Sequence, residues 1–306
     1  MTKRPTAPPD ARTPDADSEA TPLIRVVDGQ QHWIEDRVAL EAPLTLMLNG
    51  REWVTLLATP SHLDELVLGF LAAEGVIQHP DDVSRVVWDA EDGRAWVRCP
   101  ALTPATRDAL LVGRRTLSAC CGRGHPGLVF ASDTDVPPVP PGPGLRRLER
   151  LPAWVDALDR SARAFQDTGG LHTVALAPLT DHDATGGLDG ASPPEDGVGR
   201  HFLVVRSDVG RHNALDKVAG WCLLHDAPQP GALAIVFSGR VSAEVVVKAA
   251  RLGAALVVSH AAPTTLGLQM ADALHVTVVA FVRGERLSVY THPERLGLGG
   301  SPPAPY

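Results

Sequence analysis

Cysteine is scarce in this chain, which has only four, at positions 99, 120, 121 and 222. That number and spacing exclude the disulfide-stapled scaffold of small secreted proteins. We therefore expect a cytoplasmic protein, in which an exposed thiol serves in chemistry and not as a cross-link. The sequence has no run of about 18 apolar residues, and its first 22 residues lack the apolar core of a secretory signal. Neither a membrane span nor export by that route is expected.

The chain also has no excess of basic residues: it contains 28 Lys and Arg and 36 Asp and Glu, and its net charge is -8. General binding to nucleic acid requires many clustered Lys and Arg side chains. We therefore expect no nucleic-acid partner, and any site for an anion has to be local. The 12 histidines lack metal-ligand spacing and no second cysteine pair completes a zinc site, so no protein-bound metal is expected.

The hydrophobic pattern predicts an α/β protein with a smaller β-rich N-terminal part. Residues 1–22 are rich in Pro, Asp, Ala and Thr, and we interpret them as a disordered tail. Residues 23–134 alternate apolar and polar side chains around the N-G and D-G dipeptides at 49–50 and 92–93, which predicts hairpins. Between them, helical spacing predicts a helix that is capped by Ser61 and ends near Gly75.

The C-terminal half is predicted to contain a mostly parallel sheet covered by helices. The Pro- and Gly-rich residues 135–150 are predicted to form a linker or surface loop, and residues 297–306 a tail. Residues 151–296 begin with an amphipathic helix, contain a Gly, Asp and Pro-rich insertion at 179–199, and end in a βαβαβ pattern. Because ligands bind beyond the carboxyl ends of such strands, Ser238, Gly239 and Arg240 are placed in a candidate crevice with residues 259–264.

The adjacent residues Cys120 and Cys121, in SACCGRGHPG, are the sharpest chemical feature of the sequence. Glycines leave this loop open, and Arg123 and His125 favour the thiolate that attacks sulfur donors. The alternative is that one or both cysteines are small buried apolar residues. A vicinal disulfide with a redox role is a further alternative, although adjacent residues are too close for ordinary disulfide geometry.

Candidate anion sites follow two predicted strands. In RSDVGRHN, Arg206 and Arg211 can converge on an anion with backbone N–H groups at the start of a helix. The alternative is that Asp208 only caps this helix and that both arginines pair with carboxylates. The segment Ser238-Gly239-Arg240 repeats the arrangement at another strand end. Neither segment matches a P-loop or G-x-G-x-x-G motif, which disfavours nucleotide hydrolysis and dinucleotide chemistry.

The segment TGGLH is a third candidate, because Gly169 and Gly170 allow a close backbone approach and His172 supplies an imidazole. The alternative is that His172, a lone histidine before a strand, has a structural role. Together with LATPSHLDELVLGFLAAEGVI, the SAC loop, RSDVGRHNALDKVAG, FSGRVSAEVVVKAARLGA, SHAAPTTLGLQMA and FVRGERLSVYTHPERL, this segment resembles the FdhD family of accessory sulfurtransferases. The resemblance covers about residues 38–296, and DVGRHNALDK is its most specific motif.

The resemblance implies a cytidine-deaminase-like α/β fold, a homodimer and a sulfurtransferase that formate dehydrogenase requires for activity. It implies that a cysteine desulfurase donates sulfur as a persulfide, and that the molybdenum cofactor in its bis-molybdopterin guanine dinucleotide form receives it. Residues 281–286 are the expected contact segment, in which Arg283 and Arg286 can fork onto phosphate or stack on a base. The cofactor-binding residues implied are Phe281, Val282, Arg283, Gly284, Glu285, Arg286, Arg206, Asp208, Arg211, His212, Asn213, Lys217, Ser238, Gly239, Arg240, Gly169, Gly170 and His172.

The cysteine loop departs from the family pattern C-G-x-C-G, since the two cysteines are adjacent here. Alignment on the preceding Ser118 and Ala119 makes Cys120 the leading persulfide cysteine, whereas alignment on the following glycine gives that role to Cys121. A carrier that binds the cofactor without covalent sulfur chemistry is therefore a second hypothesis, and redox sensing by the cysteine pair a third. Zinc deaminase chemistry is not expected, because the P-C-x-x-C half of its signature is absent.

Overall fold

The structure is a computed structural model. It describes residues 17–89, 91–102, 115–117, 136–145, 147–162, 167–179, 201–225 and 227–299, and for 115–117 the backbone alone. Cys120, Cys121 and nearly all of the 179–199 insertion lie outside these residues. No helix of the described part is long and apolar enough to cross a membrane.

Two compact units make up the chain, and each is assembled from separate stretches of sequence. Unit one contains Met1–Ser132, Ala162–Thr173 and Arg206–His225, whereas unit two contains Asp133–Ser161, Val174–Val205 and Asp226–Tyr306. Unit one therefore draws on two short stretches from the middle and later parts of the chain.

A two-stranded antiparallel ribbon opens unit one, with β1 at Ser18–Val27 and β2 at Gln30–Ala39. Its turn residues Asp28 and Gly29 both have positive φ, as a tight hairpin turn requires. β1 begins inside the segment that the sequence predicts to be a disordered tail through residue 22. The second strand has no counterpart in the prediction, because QQHWIEDRVA carries little apolar alternation, and Trp33 is 76% exposed.

A five-stranded sheet forms the centre of unit one, in the order β5-β6-β3-β4-β7. The strands are β3 Ala42–Leu48, β4 Arg51–Ala58, β5 Arg85–Asp89, β6 Arg94–Arg98 and β7 Arg115–Leu117. Both predicted hairpins are confirmed, since β3 pairs with β4 and β5 with β6 in antiparallel register. Asn49 and Gly50 have φ of 48° and 84°, which is the conformation of the predicted N-G turn. A short 3₁₀ turn at Pro80–Asp82 precedes β5.

Two helices, α1 at Leu63–Ala73 and α3 at Arg211–Leu224, pack closely in unit one. A Cβ on Gly69 would lie 1.7 Å from the backbone oxygen of Asp216, and one on Gly220 would lie 1.8 Å from that of Glu65. Only glycine allows the two backbones to come this close. The cap predicted at Ser61 is wrong: the residue before the helix is His62, with φ of 50°, and the Ser61 N–H instead donates to Thr59 in a preceding turn.

Unit two is built on a six-stranded sheet in the order β13-β12-β11-β10-β8-β9, which includes strands at the unit boundaries. The strands are β8 His172–Pro178, β9 Val204–Asp208, β10 Leu233–Phe237, β11 Ala254–Ser259, β12 Thr277–Arg283 and β13 Arg286–Val289. Every residue of β10 and β11 is buried, which explains their uninterrupted apolar sequences.

The predicted βαβαβ succession is confirmed, with α4 at Ala243–Arg251 and α5 at Thr265–Ala273 between the parallel strands β10, β11 and β12. The sheet as a whole is mixed and not mostly parallel, because β8 runs antiparallel to β10 and β13 antiparallel to β12. The tight β12–β13 hairpin requires the latter arrangement. The cytidine-deaminase-like assignment stays a prediction.

The predicted amphipathic helix is α2, at Arg150–Ser161. The described part of the Pro- and Gly-rich stretch before it contains no helix or strand, as its composition predicts. It is nevertheless anchored, since Val139 is buried and its N–H donates to the carbonyl oxygen of Leu274. A second 3₁₀ turn, at Pro293–Leu296, ends the described elements of unit two.

Candidate functional site

The described strand that leads into the cysteine loop is β7, which ends three residues before Cys120. β7 runs parallel to β4, and Leu117 lies opposite Leu56. β7 therefore ends at the side of the sheet where β4 is followed by Thr59. The thiols themselves lie outside the described residues, so their assignment as catalytic groups stays a prediction.

Asp208, at the end of β9, is the centre of a buried polar cluster in unit one. Its Oδ1 accepts hydrogen bonds from the Gly210 N–H and the Asn213 side chain, at 2.8 and 3.0 Å. Its Oδ2 accepts from the Thr59 N–H at 3.1 Å and lies 2.7 Å from Lys217 Nζ. Asp208 thus does more than cap α3, because it also holds the turn that follows β4.

Lys217 is fully buried beside Asp208. Its ammonium group also donates to the carbonyl oxygens of Thr59 and Ser207, each at 3.1 Å. An ammonium has three N–H donors, and these three contacts occupy them. Asn213 is similarly engaged, since its amide donates to Leu57 as well as to Asp208. Both side chains bind other residues of unit one, and their cofactor contacts stay predictions.

Arg206 pairs with Glu65 of α1 through two contacts, Nε–Oε2 at 2.5 Å and Nη2–Oε1 at 2.6 Å. Burial raises the pKa of Glu65, and the hydrogen bonds and charge of Arg206 oppose that rise. For Arg206 the structure thus has the carboxylate pairing that the sequence offered as an alternative to anion binding. Burial, together with Arg206 and Lys217, lowers the pKa of His62 to about 3.

Arg211 differs from Arg206. It is the first residue of α3 and is half-buried, and its Nε is buried without a hydrogen-bond partner among the described residues. His212 follows it in the first turn and is also half-buried. Arg206 is already paired with a carboxylate. Of the two arginines in this motif, Arg211 is therefore the better candidate to bind an anion.

The TGGLH segment lies close to the same motif in unit one. Thr173 Oγ1 and Ser207 Oγ are 3.0 Å apart, which places the start of β8 beside the end of β9. Gly169 and Gly170 are exposed, and Gly169 has φ of 64°, a conformation that favours glycine. His172 is half-buried at the first position of β8. The structure thus brings two of the three predicted segments together.

In unit two the predicted crevice at the carboxyl ends of β10, β11 and β12 is a connected set of loops. Ser259 Oγ donates to the carbonyl oxygen of Gly239 at 2.8 Å and accepts from the Ala261 N–H at 3.0 Å. The Phe281 N–H in turn donates to Ala261. Gly239 is needed because a Cβ there would lie 2.7 Å from the ring of Phe237. Ser238 is half-buried and Arg240 is exposed at this edge.

Residues 281–286 form the β12–β13 hairpin beside these loops. Phe281 has φ of 51° and is 38% exposed, and Arg283 and Arg286 lie opposite each other in register. Gly284, with φ of 53°, makes the turn, and Glu285 is exposed next to it. Val282 alone faces the core. An exposed aromatic ring with two exposed guanidinium groups fits a guest that carries bases and phosphates, whereas the side chain of Val282 is buried.

A cavity of about 950 Å³ lies at the opposite end of the unit-two strands, near the amino ends of the parallel strands. Arg295 lines it and donates to the Ala255 carbonyl oxygen and to Thr277 Oγ1, both at 2.8 Å. His292 and Glu294, which match the H-x-E half of the deaminase signature, are 3.2 Å apart here. No group of three or more His, Cys, Asp or Glu in the described ranges is arranged to hold a metal ion.

Sequence reasoning missed the contribution of the segment between β4 and α1. Thr59 binds Asp208 and Lys217 through its backbone and the Val209 N–H through its hydroxyl, and Glu65 binds Arg206. The signal for Glu65 was a carboxylate in an apolar helix, DELVLGFL, which requires a buried partner. No comparable signal marks Thr59, because its contacts are formed mainly by the backbone.

The fold and these contacts describe a mixed α/β protein. It has clustered motif residues in one unit and a hairpin with two exposed arginines in the other. The model of the FdhD/NarQ family matches residues 39–297. The chain is 40% identical over 279 residues to the sulfur carrier protein FdhD of Geobacillus kaustophilus, covering 91% of this chain and 97% of that protein. It is 39% identical over 272 residues to the sulfur carrier protein FdhD of Bacillus subtilis, covering 89% of this chain and 95% of that one.

A solved structure has a similar fold. It is the crystal structure of a Desulfotalea psychrophila protein described as a formate dehydrogenase accessory protein, with a TM-score of 0.66 and 23% sequence identity. The superposition covers 91% of this chain and 99% of that one. On the family match and the full-length relatives, the chain belongs to the FdhD/NarQ family, which confirms the resemblance drawn from its motifs.

Proposed function

We propose that this protein is a sulfur carrier for the maturation of formate dehydrogenase. The observation that carries the proposal is its 40% identity, over 91% of its length, to a protein named as a sulfur carrier. The adjacent Cys120 and Cys121 supply candidate thiols, and β7, which ends three residues before Cys120, pairs with β4, which ends near Thr59. We place this sulfurtransferase activity in the cytoplasm, between a sulfur donor and a cofactor that receives the sulfur.

The donor in this proposal is a cysteine desulfurase that carries a persulfide. The thiolate of Cys120 or Cys121 attacks the outer sulfur, the S–S bond of the desulfurase persulfide breaks, and the desulfurase cysteine leaves as a thiolate. The step exchanges one S–S bond for another and needs no external oxidant. The other two cysteines are poor candidates, because burial raises the pKa of Cys99 to about 11 and that of Cys222 to about 12.

The recipient is the bis-molybdopterin guanine dinucleotide cofactor, bound as substrate before it enters formate dehydrogenase. Arg283 and Arg286 are exposed on the β12–β13 hairpin, where they can bind phosphate, and Phe281 offers an aromatic face to a base. Arg211 is the corresponding candidate in unit one. We further propose a homodimer, which light scattering coupled to size-exclusion chromatography tests.

Intact-mass spectrometry after incubation with a cysteine desulfurase and cysteine tests sulfur transfer. The expected result is a gain of one sulfur atom that a reducing agent removes. The gain disappears in Cys120→Ala, in Cys121→Ala or only in the double variant, which identifies the acceptor. Cys99→Ala and Cys222→Ala are the matched controls and keep the gain.

A second function is a carrier that binds the cofactor without forming a persulfide. The adjacent spacing of Cys120 and Cys121 favours it, because the family pattern separates its two cysteines. Wild-type protein that gains no sulfur but binds a guanine nucleotide would establish this function in place of sulfur transfer.

A further inference from the structure

One face of the β5–β6 hairpin in unit one carries an exposed apolar cluster. Val87 and Trp96 lie directly opposite each other in antiparallel register and are 37% and 40% exposed. Met47 of β3 lies on the other side of Trp96 in the parallel β3–β6 register and is half-buried. The alternate residues Val86 and Val97 are buried on the opposite face. Three large apolar side chains therefore form a continuous strip that faces outward.

Two arginines flank this strip. Arg85 and Arg98 lie opposite each other two residue pairs beyond Val87 and Trp96, on the same face of the hairpin, and both are exposed. Neither side chain forms a hydrogen bond or ion pair with any residue in the described part of the chain. Like charges directly opposite on neighbouring strands repel, so this pair is unfavourable unless an anion lies between its members. At the other end of the same hairpin, Asp89 lies opposite Arg94.

The strip and the arginines line a groove of about 530 Å³ in unit one. Its end wall is held in place, because Asn49 donates to the Cys99 carbonyl oxygen and accepts from the Cys99 N–H, both at 2.9 Å. No carboxylate is among its described lining residues. The nearby Asp82 is already engaged, since it accepts hydrogen bonds from the Gln78 and His79 N–H groups. The groove is thus preformed, apolar along its floor and positive at one end.

We propose that this groove docks an acidic segment of a partner protein. A large apolar side chain of the segment packs on Trp96, Val87 and Met47, and its carboxylates bind between Arg85 and Arg98. Trp, Met and Arg are the side chains enriched at protein–protein interfaces, and Trp and Arg dominate their hot spots. The unpaired arginines supply the charge complementarity that selects an acidic partner. The proposal is independent of sulfur transfer.

A nucleic acid is the less favoured occupant. Binding to a phosphate backbone depends on many cations, whereas this groove has two and the chain carries a net charge of -8. A peptide needs only a local pair of cations beside an apolar anchor.

Selection from a phage-displayed library of random peptides tests the proposal on the full-length protein. The enriched peptides are expected to combine Asp or Glu with a neighbouring Leu, Phe or Trp. A fluorescein-labelled synthetic copy of the most enriched peptide then serves as the probe in anisotropy titrations. Arg85→Glu, Arg98→Glu and Trp96→Ser should each weaken its binding about tenfold or more. Arg160→Glu, an equal charge change on the exposed end of α2, should leave binding unchanged.

Two further probes make the outcome decisive. A copy of the peptide with Asn and Gln in place of Asp and Glu should bind at least about tenfold more weakly to wild type. Peptides without acidic enrichment, or equal binding to wild type and Arg98→Glu, would overturn the proposal. It would also fall if oligothymidylate bound in an Arg85- and Arg98-dependent manner while no acidic peptide was enriched. Circular dichroism of each variant confirms that it is folded.

Discussion

Lys217 Nζ lies 2.7 Å from Asp208 Oδ2, and both side chains are completely buried. Removal of either charge leaves the other uncompensated in the core. We expect Lys217→Met to lower the free energy of unfolding by about 3–5 kcal/mol. Urea unfolding provides the measurement. In the double variant with Asp208→Asn the two losses should be clearly less than additive, and additive losses would contradict a coupled pair.

Arg206→Met should destabilise the protein more at neutral pH than in mild acid. Burial raises the pKa of Glu65, and loss of Arg206 raises it further. Because the folded pKa lies above the unfolded value, stability linked to Glu65 is present below the unfolded pKa and is lost as the pH rises through the folded pKa. We expect a loss of about 3 kcal/mol near pH 7 and a smaller loss near pH 5. In Arg206→Met/Glu65→Gln this difference should disappear.

Gly69→Ala and Gly220→Ala should each cost about 3 kcal/mol or more, because the new Cβ would meet the backbone of the facing helix. Thermal and urea unfolding measure the change. Gly299→Ala is the matched control, since nothing lies within 4 Å of a Cβ at that position. Equal stability of all three variants would show that α1 and α3 do not cross at these glycines.

Alkylation should discriminate among the four cysteines. Burial, with a smaller effect of Asp82, raises the pKa of Cys99 to about 11, and burial with Glu65 raises that of Cys222 to about 12. Since the thiolate is the nucleophile, iodoacetamide near pH 8 should modify Cys120 or Cys121 first. Peptide mapping by mass spectrometry identifies the modified residue. Faster modification of Cys99 or Cys222 would contradict the assignment of the working thiols.

Arg286→Ala and Arg211→Ala should weaken the binding of GDP, used as a fragment of the proposed cofactor, by about tenfold each. Loss of a charged hydrogen-bond donor to phosphate accounts for this magnitude. Isothermal titration calorimetry measures the affinity, with Arg160→Ala as the control for loss of an exposed arginine. Unchanged affinity in both variants would remove these residues from the site.

Local patterns made much of the fold predictable. The N-G turn at Asn49 and Gly50 and the succession β10-α4-β11-α5-β12 depend on residues close in sequence, and both are present. β13 was missed because RLSV is short and half-polar, although β13, together with β8, makes the sheet mixed. The structure brings the TGGLH and RSDVGRHN segments together in unit one, but the individual partners of their residues were not predicted.

Long-range contacts explain that difference. Arg206 finds its carboxylate 141 positions away at Glu65, and Lys217 donates to Thr59 across 158 positions. A single sequence shows that a buried lysine or an arginine beside a strand needs a partner, but it does not show which one. For this reason Arg206 looked like a ligand-binding residue, whereas the structure pairs it internally and leaves Arg211 as the better candidate.

The crossing of α1 and α3 at Gly69 and Gly220 also bears on synthesis of the protein. The sheet of unit one and α1 are complete in the nascent chain by residue 132, but α3 is added only at Arg211–Leu224. Until the ribosome has released that helix, the apolar surface of α1 lacks its partner and Asp208 lacks its lysine. Unit one therefore cannot complete its core until residue 224 has been made, and a truncation before residue 211 would expose a surface that chaperones bind.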